Sequence, residues 1–187
     1  MESSFTMAEY LAKLKLSISD ILSRPERETL TYDILDTEKT IQNKSIALKE
    51  KQRQMKVGEI WQEGLGTYDG FINLKTGHST GLDILSPSKK IAIELKNRTN
   101  TDNASSKRAN LDKLAAFKQD NPDYTCVYAN INADDQIKTA RGMHKIIVHN
   151  GCEIHHMVGF DFLKFVLGEN SYLLVIDFIK NTIDNHT

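Results

Sequence analysis

The sequence has little of what several protein classes require. Its 187 residues include only two cysteines, Cys126 and Cys152, which lie in apolar, strand-like segments and form no CxxC pair. We therefore expect reduced core thiols rather than a disulfide framework. No apolar run approaches the ~20 residues that a membrane-spanning helix needs, and the amphipathic N-terminus lacks the order of a signal peptide. These absences predict a cytoplasmic protein with no membrane partner.

The sequence also lacks a strong charge bias and a nucleotide-binding loop. Its formal net charge is −1, with 40% hydrophobic and 26% charged residues, which is ordinary for a globular domain. Any surface for a polyanion must therefore come from local clustering of basic residues. Neither a G-x-G-x-x-G nor a P-loop pattern occurs, so no nucleotide cofactor is implied.

Periodicity along the chain predicts an α/β fold with a central mixed sheet flanked by helices. Helical spacing covers 6–23, 37–64 and 103–120, and two short helices follow at 158–168 and 171–183. Strand patterns cover 67–74, 80–86, 89–97, 124–132, 144–149 and 152–157, the last two joined by a turn at Asn150-Gly151. The order gives an αβββαβ core with helical additions at both ends. We predict a single domain, 1–187, with an N-terminal helical region (1–44), a core (45–132) and C-terminal strands and helices (133–187).

Asp83, Glu94 and Lys96 interrupt the apolar runs of two successive strand segments, "TGLDILS" and "KKIAIELKN". Strand side chains alternate between faces, so Glu94 and Lys96 share one face while Leu95 points to the other. The short link "SPSKK" predicts antiparallel neighbours, and in a suitable register Asp83 lies beside Glu94. Adjacent carboxylates repel unless a cation separates them, and oxygen ligands suit Mg²⁺. The alternative is an ion-pair ladder on a half-exposed sheet.

Polar and basic residues follow this strand directly. Between positions 89 and 113 there are seven Lys or Arg against three acids. Asn, Arg and Lys read base edges, Ser and Lys contact phosphates, and a helix that begins near Asn103 presents backbone N–H groups to a phosphate. The alternative is a helix cap followed by a solvated face.

The run "GLDIL…IAIELKN" resembles the core motif of the PD-(D/E)xK nuclease superfamily, although Leu82 replaces the proline before Asp83. The longer run through "NRTNTDNASS" is similar to type II restriction endonucleases that cut GGNCC-type sites. This closer similarity spans about residues 80–131. The resemblance implies a restriction-endonuclease-like fold and Mg²⁺-dependent, sequence-specific hydrolysis of phosphodiester bonds in double-stranded DNA.

The resemblance also implies roles for individual residues. Asp83, Glu94 and the Leu95 carbonyl bind Mg²⁺, and Lys96 positions the attacking water. A further acid from the preceding helix is expected, and we predict Glu59, with Glu63 as the alternative. The predicted DNA contacts lie around the strand end and in the turn before Asp83: Asn97, Arg98, Asn100, Asn103, Ser105, Ser106, Lys107, Arg108 and His78.

The expected partners follow from a two-fold symmetric DNA site, which two active sites cut on both strands. We therefore expect a homodimer, to which the amphipathic N- and C-terminal helices could supply the contact. The resemblance to restriction endonucleases leaves room for a companion DNA methyltransferase that acts on the same site. Two other functions remain open at this point. One is a repair or recombination nuclease of the same fold, and the other is a DNA-binding protein with an inactive site.

Overall fold

A computed structural model describes residues 5–75, 77–98, 103–132 and 142–186, with only the backbone described at Arg98. The helices in these ranges are α1 (Met7–Ser23), α2 (Glu38–Gly66), α3 (Ala104–Asp120), α4 (Phe160–Leu167) and α5 (Tyr172–Asp184). The strands are β1 (Ile72–Asn73), β2 (Ile84–Ser86), β3 (Ile91–Arg98), β4 (Thr125–Asn132), β5 (Gly142–His149) and β6 (Cys152–Gly159).

The six strands form one mixed sheet in the order β1-β2-β3-β4-β6-β5. β1, β2 and β3 are antiparallel neighbours, whereas β3, β4 and β6 run parallel, and β5 pairs antiparallel with β6 at the edge. The predicted α/β class, the helix–three strands–helix–strand order and the mixed sheet are therefore confirmed.

Two apolar clusters, one on each face, hold the sheet. Val127 and Ala129 of β4 face the larger cluster, to which α1, α2, α4 and α5 contribute. Cys126 and Tyr128 of the same strand face the smaller cluster, which α3 covers. Because β4 is buried on both faces, its apolar residues form a nearly continuous run, as expected for a central parallel strand.

Side-chain caps fix where the long helices begin. Thr6 accepts a hydrogen bond from the backbone N–H of Glu9, and Thr37 forms a capping box with Thr40. α1 then buries a stripe at helical spacing, formed by Tyr10, Leu14, Ile18 and Ile21. α2 contributes mainly its C-terminal end to the core, and it runs without a break across residues 44 and 45. The division at 44/45 therefore falls inside a helix, and the single-domain assignment stays a prediction.

Several predicted boundaries were wrong. The segment 67–74 contains only a two-residue strand, because Thr67 caps α2 and Asp69 and Gly70 adopt positive φ in a turn. The predicted strand 80–86 begins only at Ile84, so Asp83 lies in a bend immediately before β2 rather than inside a strand. The helix predicted from 158 begins at Phe160, because β6 continues through Gly159.

Two further expectations concern the thiols and membranes. Cys126 is buried and Cys152 is partly buried, and both thiols are free, as expected. Burial raises the pKa of the Cys126 thiol to about 11, which keeps it protonated and unreactive at neutral pH. Among the described helices, none combines the length and apolar character needed to cross a bilayer.

Candidate active site

The pairing of β2 with β3 sets Asp83 beside Glu94. Ile84 lies opposite Ile93 in this antiparallel pair, and the backbone N–H of Asp83 donates to the Ile93 carbonyl at 3.1 Å. The ladder therefore continues one residue beyond β2, and the two acids face each other across it. The juxtaposition expected from the sequence is present, although a bend rather than a strand carries Asp83.

Asp83 is held by contacts to both carboxylate oxygens. Its Oδ2 accepts a hydrogen bond from the backbone N–H of Leu95 at 2.8 Å, and its Oδ1 lies 3.5 Å from Nε2 of Gln62. Burial raises the pKa of this carboxyl, while the Leu95 N–H and the charges of Lys96 and Lys113 act in the opposite direction. The net effect makes the ionised form costly unless further positive charge is present.

Glu94 is more deeply buried, with only 3% of its side chain exposed. Its Oε1 accepts from Nζ of Lys96 at 2.8 Å and lies 4.0 Å from Nζ of Lys113. Burial and the negative charge of Asp83 raise its pKa, and the two lysines oppose the rise. Its Oε2 is buried without a hydrogen-bond partner among the described residues.

These observations fit a divalent cation. A buried carboxylate oxygen without a partner is costly, and two neighbouring acids with raised pKa values are an environment that a cation stabilises. Oxygen donors suit Mg²⁺, which keeps several of its own waters and needs few protein ligands. The described residues contain no group of three or more His, Cys, Asp or Glu side chains placed to hold a metal, so the donors would be the two carboxylates, a backbone carbonyl and water.

Gln62 is the α2 residue that reaches Asp83. Its Nε2 also contacts Oδ1 of Asn73 at 3.3 Å, and Asn73 in turn donates to Oε2 of Glu63 at 2.7 Å. The predicted extra acid, Glu59, lies one turn earlier and forms ion pairs with Arg24 and Arg27, each at 2.9 Å. The structure therefore does not bring Glu59 to the carboxylate pair, and its catalytic role stays a prediction. Among the described residues, Asn73 and Gln62 form the link between Glu63 and Asp83.

The candidate DNA-contact residues occupy three kinds of position. Asn97 is half-buried, accepting from Asn132 at 2.9 Å and donating to the Gln54 carbonyl at 3.4 Å. Asn103 caps α3, because its Oδ1 accepts from the Ser106 N–H at 2.8 Å and from the Ser105 hydroxyl at 2.7 Å. The capping alternative raised from the sequence is therefore present, and it leaves Ser105 and Ser106 exposed at the N-terminus of the helix.

The remaining candidates are spread more widely. Nζ of Lys107 lies 5.9 Å from the centre of the Tyr128 ring, and Arg108 is exposed on the next position of α3. His78 is exposed in the turn before Asp83, where its Nδ1 contacts the Thr80 hydroxyl at 2.9 Å. Asn100 and the side chain of Arg98 lie outside the described residues.

Three residues that contact the acids or pair with Lys96 were not predicted from the sequence. Lys113 approaches Glu94 from α3, and Gln62 approaches Asp83 from α2. Asn130, which is the partner of Lys96 in the β3–β4 register, accepts a hydrogen bond from buried His156 at 2.9 Å. The signal for Lys113 was its helical spacing from Asn110 and Leu114, which places it beside the buried stripe of α3.

A mixed sheet flanked by helices, with Asp83, Glu94 and Lys96 converging at adjoining strands, defines the PD-(D/E)xK class of nucleases. The family model described as Eco47II restriction endonuclease matches residues 28–185, which is most of the chain. The chain belongs to this family and is a type II restriction endonuclease, a nuclease that acts on DNA. α1 precedes the matched range. No curated protein and no solved structure matches the chain.

Proposed function

We propose that this restriction endonuclease hydrolyses phosphodiester bonds in double-stranded DNA with Mg²⁺, at a GGNCC-like sequence. The single observation that carries the proposal is the convergence of Asp83, Glu94 and Lys96, with one buried Glu94 oxygen that has no hydrogen-bond partner in the part of the chain that the structure describes. The sequence preference rests on the run that follows Lys96, which is similar to that of GGNCC-cutting enzymes.

Asp83, Glu94 and the Leu95 carbonyl would hold the cation. When bound, Mg²⁺ supplies positive charge that polarises a water molecule and stabilises the charge that develops on the phosphate. The Leu95 N–H and Gln62 fix the Asp83 carboxylate, and the burial of Glu94 restricts its movement. These residues therefore present the ligands in a fixed arrangement.

Lys96 places a positive charge at Oε1 of Glu94. Its Nζ is anchored to Oε1 of Glu94 at 2.8 Å, and 24% of the side chain is exposed. It would orient the attacking water and balance negative charge on the phosphate oxygens. Because Glu94 already holds the ammonium before DNA binds, the Lys96 side chain does not need to be reoriented on binding.

Recognition of DNA would take place where β3 ends and α3 begins. Asn97, Arg98 and Asn100 would approach base edges, while Asn103, Ser105, Ser106, Lys107 and Arg108 would contact the backbone with the N-terminus of α3. His78 would reach a phosphate from the turn before Asp83. The exposure of Ser105, Ser106, Arg108 and His78 supports this assignment.

A homodimer would supply the two active sites that a two-fold symmetric site requires. Its contact would involve α1 and α5, which leave Leu16, Leu173 and Leu174 exposed. A companion methyltransferase would protect the same site in the host DNA. Sedimentation analysis of the wild-type protein and of Leu16→Glu tests the dimer, since a charge in the contact would dissociate it.

The nuclease assignment is tested with plasmid DNA and Mg²⁺. We expect discrete fragments from the wild-type protein and from Glu169→Gln, an exposed acid paired with Lys164, but none from Asp83→Asn or Lys96→Met. A retained gel shift without any cleavage by the wild-type protein would contradict the enzyme assignment. Preferential cutting of branched DNA would instead favour a repair nuclease.

A further inference from the structure

Lys113 extends from α3 toward the acids of the active site. Its aliphatic stem crosses Gly81, where an added Cβ would lie 3.4 Å from Cδ of Lys113. Gly81 also has a φ of +65°, which favours glycine. The absence of a side chain at Gly81 therefore leaves space for the Lys113 stem beside the turn that precedes Asp83.

The Lys113 ammonium lies on the solvent side of Glu94. Its Nζ is 4.0 Å from Oε1 of Glu94 and 3.4 Å from Oδ1 of Asn110, and 43% of the side chain is exposed. Glu94 itself is 3% exposed and Lys96 is 24% exposed. A molecule that approaches the acids from solvent would therefore meet Lys113 before it meets Glu94.

The charges at the site favour an anionic ligand once a cation is present. Asp83 and Glu94 together carry −2, and Lys96 and Lys113 carry +2, so these four groups are balanced by themselves. A divalent cation adds +2 and competes with both ammonium groups for Glu94. The surplus positive charge would then attract a phosphate group.

We propose that Lys113 is a second lysine of the active centre and contacts a phosphate of the DNA strand beside the cleaved bond. This inference rests on the proposed nuclease function and adds a residue to it. Lys96 stays with the carboxylates and water, whereas Lys113, which lies farther from Glu94 and is more exposed, meets the DNA backbone.

DNA binding separates this role from a purely structural one. The probe is a short duplex that wild-type protein cuts, with Ca²⁺ in place of Mg²⁺ and gel analysis to verify that the duplex stays intact. For Lys113→Gln, we expect Kd to rise about tenfold at 0.1 M salt and the slope of log Kd against log salt to decrease by about 0.9, as for one lost phosphate contact. Lys113→Arg should keep the slope, and Lys90→Gln, which removes an exposed charge paired with Asp123 at the opposite end of β3 from Lys96, should match the wild-type protein.

Calorimetric titration of the proteins with Ca²⁺, without DNA, provides a second readout. Removal of a competing ammonium should leave the cation affinity of Lys113→Gln equal to or tighter than that of the wild-type protein. An unchanged salt slope in Lys113→Gln, or a slope changed equally in Lys90→Gln, would overturn the inference. If the wild-type protein cuts no duplex, the proposed nuclease function fails. If the wild-type protein cuts the duplex and Lys113→Gln binds it as the wild-type protein does, only the role of Lys113 fails.

Discussion

The backbone N–H of Leu95 donates a 2.8 Å hydrogen bond to Oδ2 of Asp83. This bond joins the bend before β2 to the central strand β3, and it leaves Oδ1 facing Gln62. Asp83 therefore has two tasks, because its carboxylate completes the strand pairing as well as serving as a candidate cation ligand. Substitutions can separate these tasks.

We expect Asp83→Asn to fold as well as the wild-type protein but to lose cleavage, since the amide oxygen still accepts from Leu95 while the charge is gone. Asp83→Ala should lose cleavage and also about 1–3 kcal/mol of stability, because the N–H of the partly buried Leu95 loses its acceptor. Urea unfolding of both variants at pH 7 without divalent cations measures the difference. Equal stability of the two variants would show that the hydrogen bond contributes nothing.

Glu94→Gln should stabilise the protein while abolishing its activity. Burial and the charge of Asp83 raise the Glu94 pKa, so the ionised side chain is unfavourable in the fold and a neutral isostere relieves that cost. A gain of about 1 kcal/mol corresponds to a rise of about 2–4 °C in Tm for a chain of this size. Thermal unfolding with and without Mg²⁺ checks it, since added Mg²⁺ should raise Tm only for the wild-type protein. A lower Tm for the variant would indicate that the Lys96 pair outweighs the repulsion.

The position of the acids could be predicted from the sequence because it depends on local rules. Alternation along β3 puts Glu94 and Lys96 on one face, and the short link predicts that β2 and β3 are antiparallel neighbours. The register itself is seen in the structure, where Ile84 lies opposite Ile93 and Asp83 therefore faces Glu94. The predicted neighbourhood of the two acids is correct although the predicted strand boundary is wrong. The reason is that the backbone N–H of Asp83, one residue before β2, still donates to the Ile93 carbonyl. The prediction that Asp83 lies beside Glu94 depended on the direction of their side chains, and it did not require Asp83 to be part of a strand.

The residues that approach from the helices could not be predicted in the same way. Whether Glu59, Gln62 or Glu63 reaches Asp83 depends on the rotation of α2 about its axis, which is set by packing of Ile60 and of Gly64–Gly66 in three dimensions. Lys113 depends likewise on how α3 lies over the sheet. An i, i+3 or i, i+4 pattern identifies a buried face but does not fix which polar residue at its edge meets a neighbouring strand.

The roles of Glu59 and Gln62 can be compared directly. Glu59 neutralises Arg24 and Arg27, so we expect Glu59→Gln to reduce kcat less than tenfold, whereas Gln62→Leu should reduce it more by freeing Asp83. Steady-state cleavage at saturating DNA gives both values, with Glu63→Gln as the third variant. A loss in Glu59→Gln as large as that in Asp83→Asn would support the catalytic role predicted from the sequence.

Two glycines of α2 should respond oppositely to the same substitution. An added Cβ at Gly66 would lie 2.7 Å from Cβ and 2.8 Å from Cα of Asn73, so Gly66→Ala must displace β1 and should cost about 1–3 kcal/mol. At Gly58 the nearest atom is 3.9 Å away, and Gly58→Ala should stabilise the helix by about 0.5–1 kcal/mol. Because both changes affect the unfolded chain alike, the difference in unfolding free energy reports the close approach at Asn73. Equal effects at the two positions would contradict it.

His156 should make the stability depend on pH. Burial, followed by the charges of Lys107 and Lys145, lowers its pKa to about 4, against about 6.5 in an unfolded chain. Between these values the unfolded state binds the extra proton, so stability is full above about pH 6.5 and is lost as the pH falls toward 4, by up to about 3 kcal/mol. His156→Gln retains a donor for Asn130 but cannot titrate. The unfolding free energy of this variant, relative to that of the wild-type protein, should therefore increase as the pH falls from 6.5 to 4. Urea unfolding of both proteins at pH 7, 5.5 and 4.5 measures the difference, in which the contributions of Asp83 and Glu94 cancel because both proteins contain them. Parallel stability curves would show that the pKa of His156 does not change on folding.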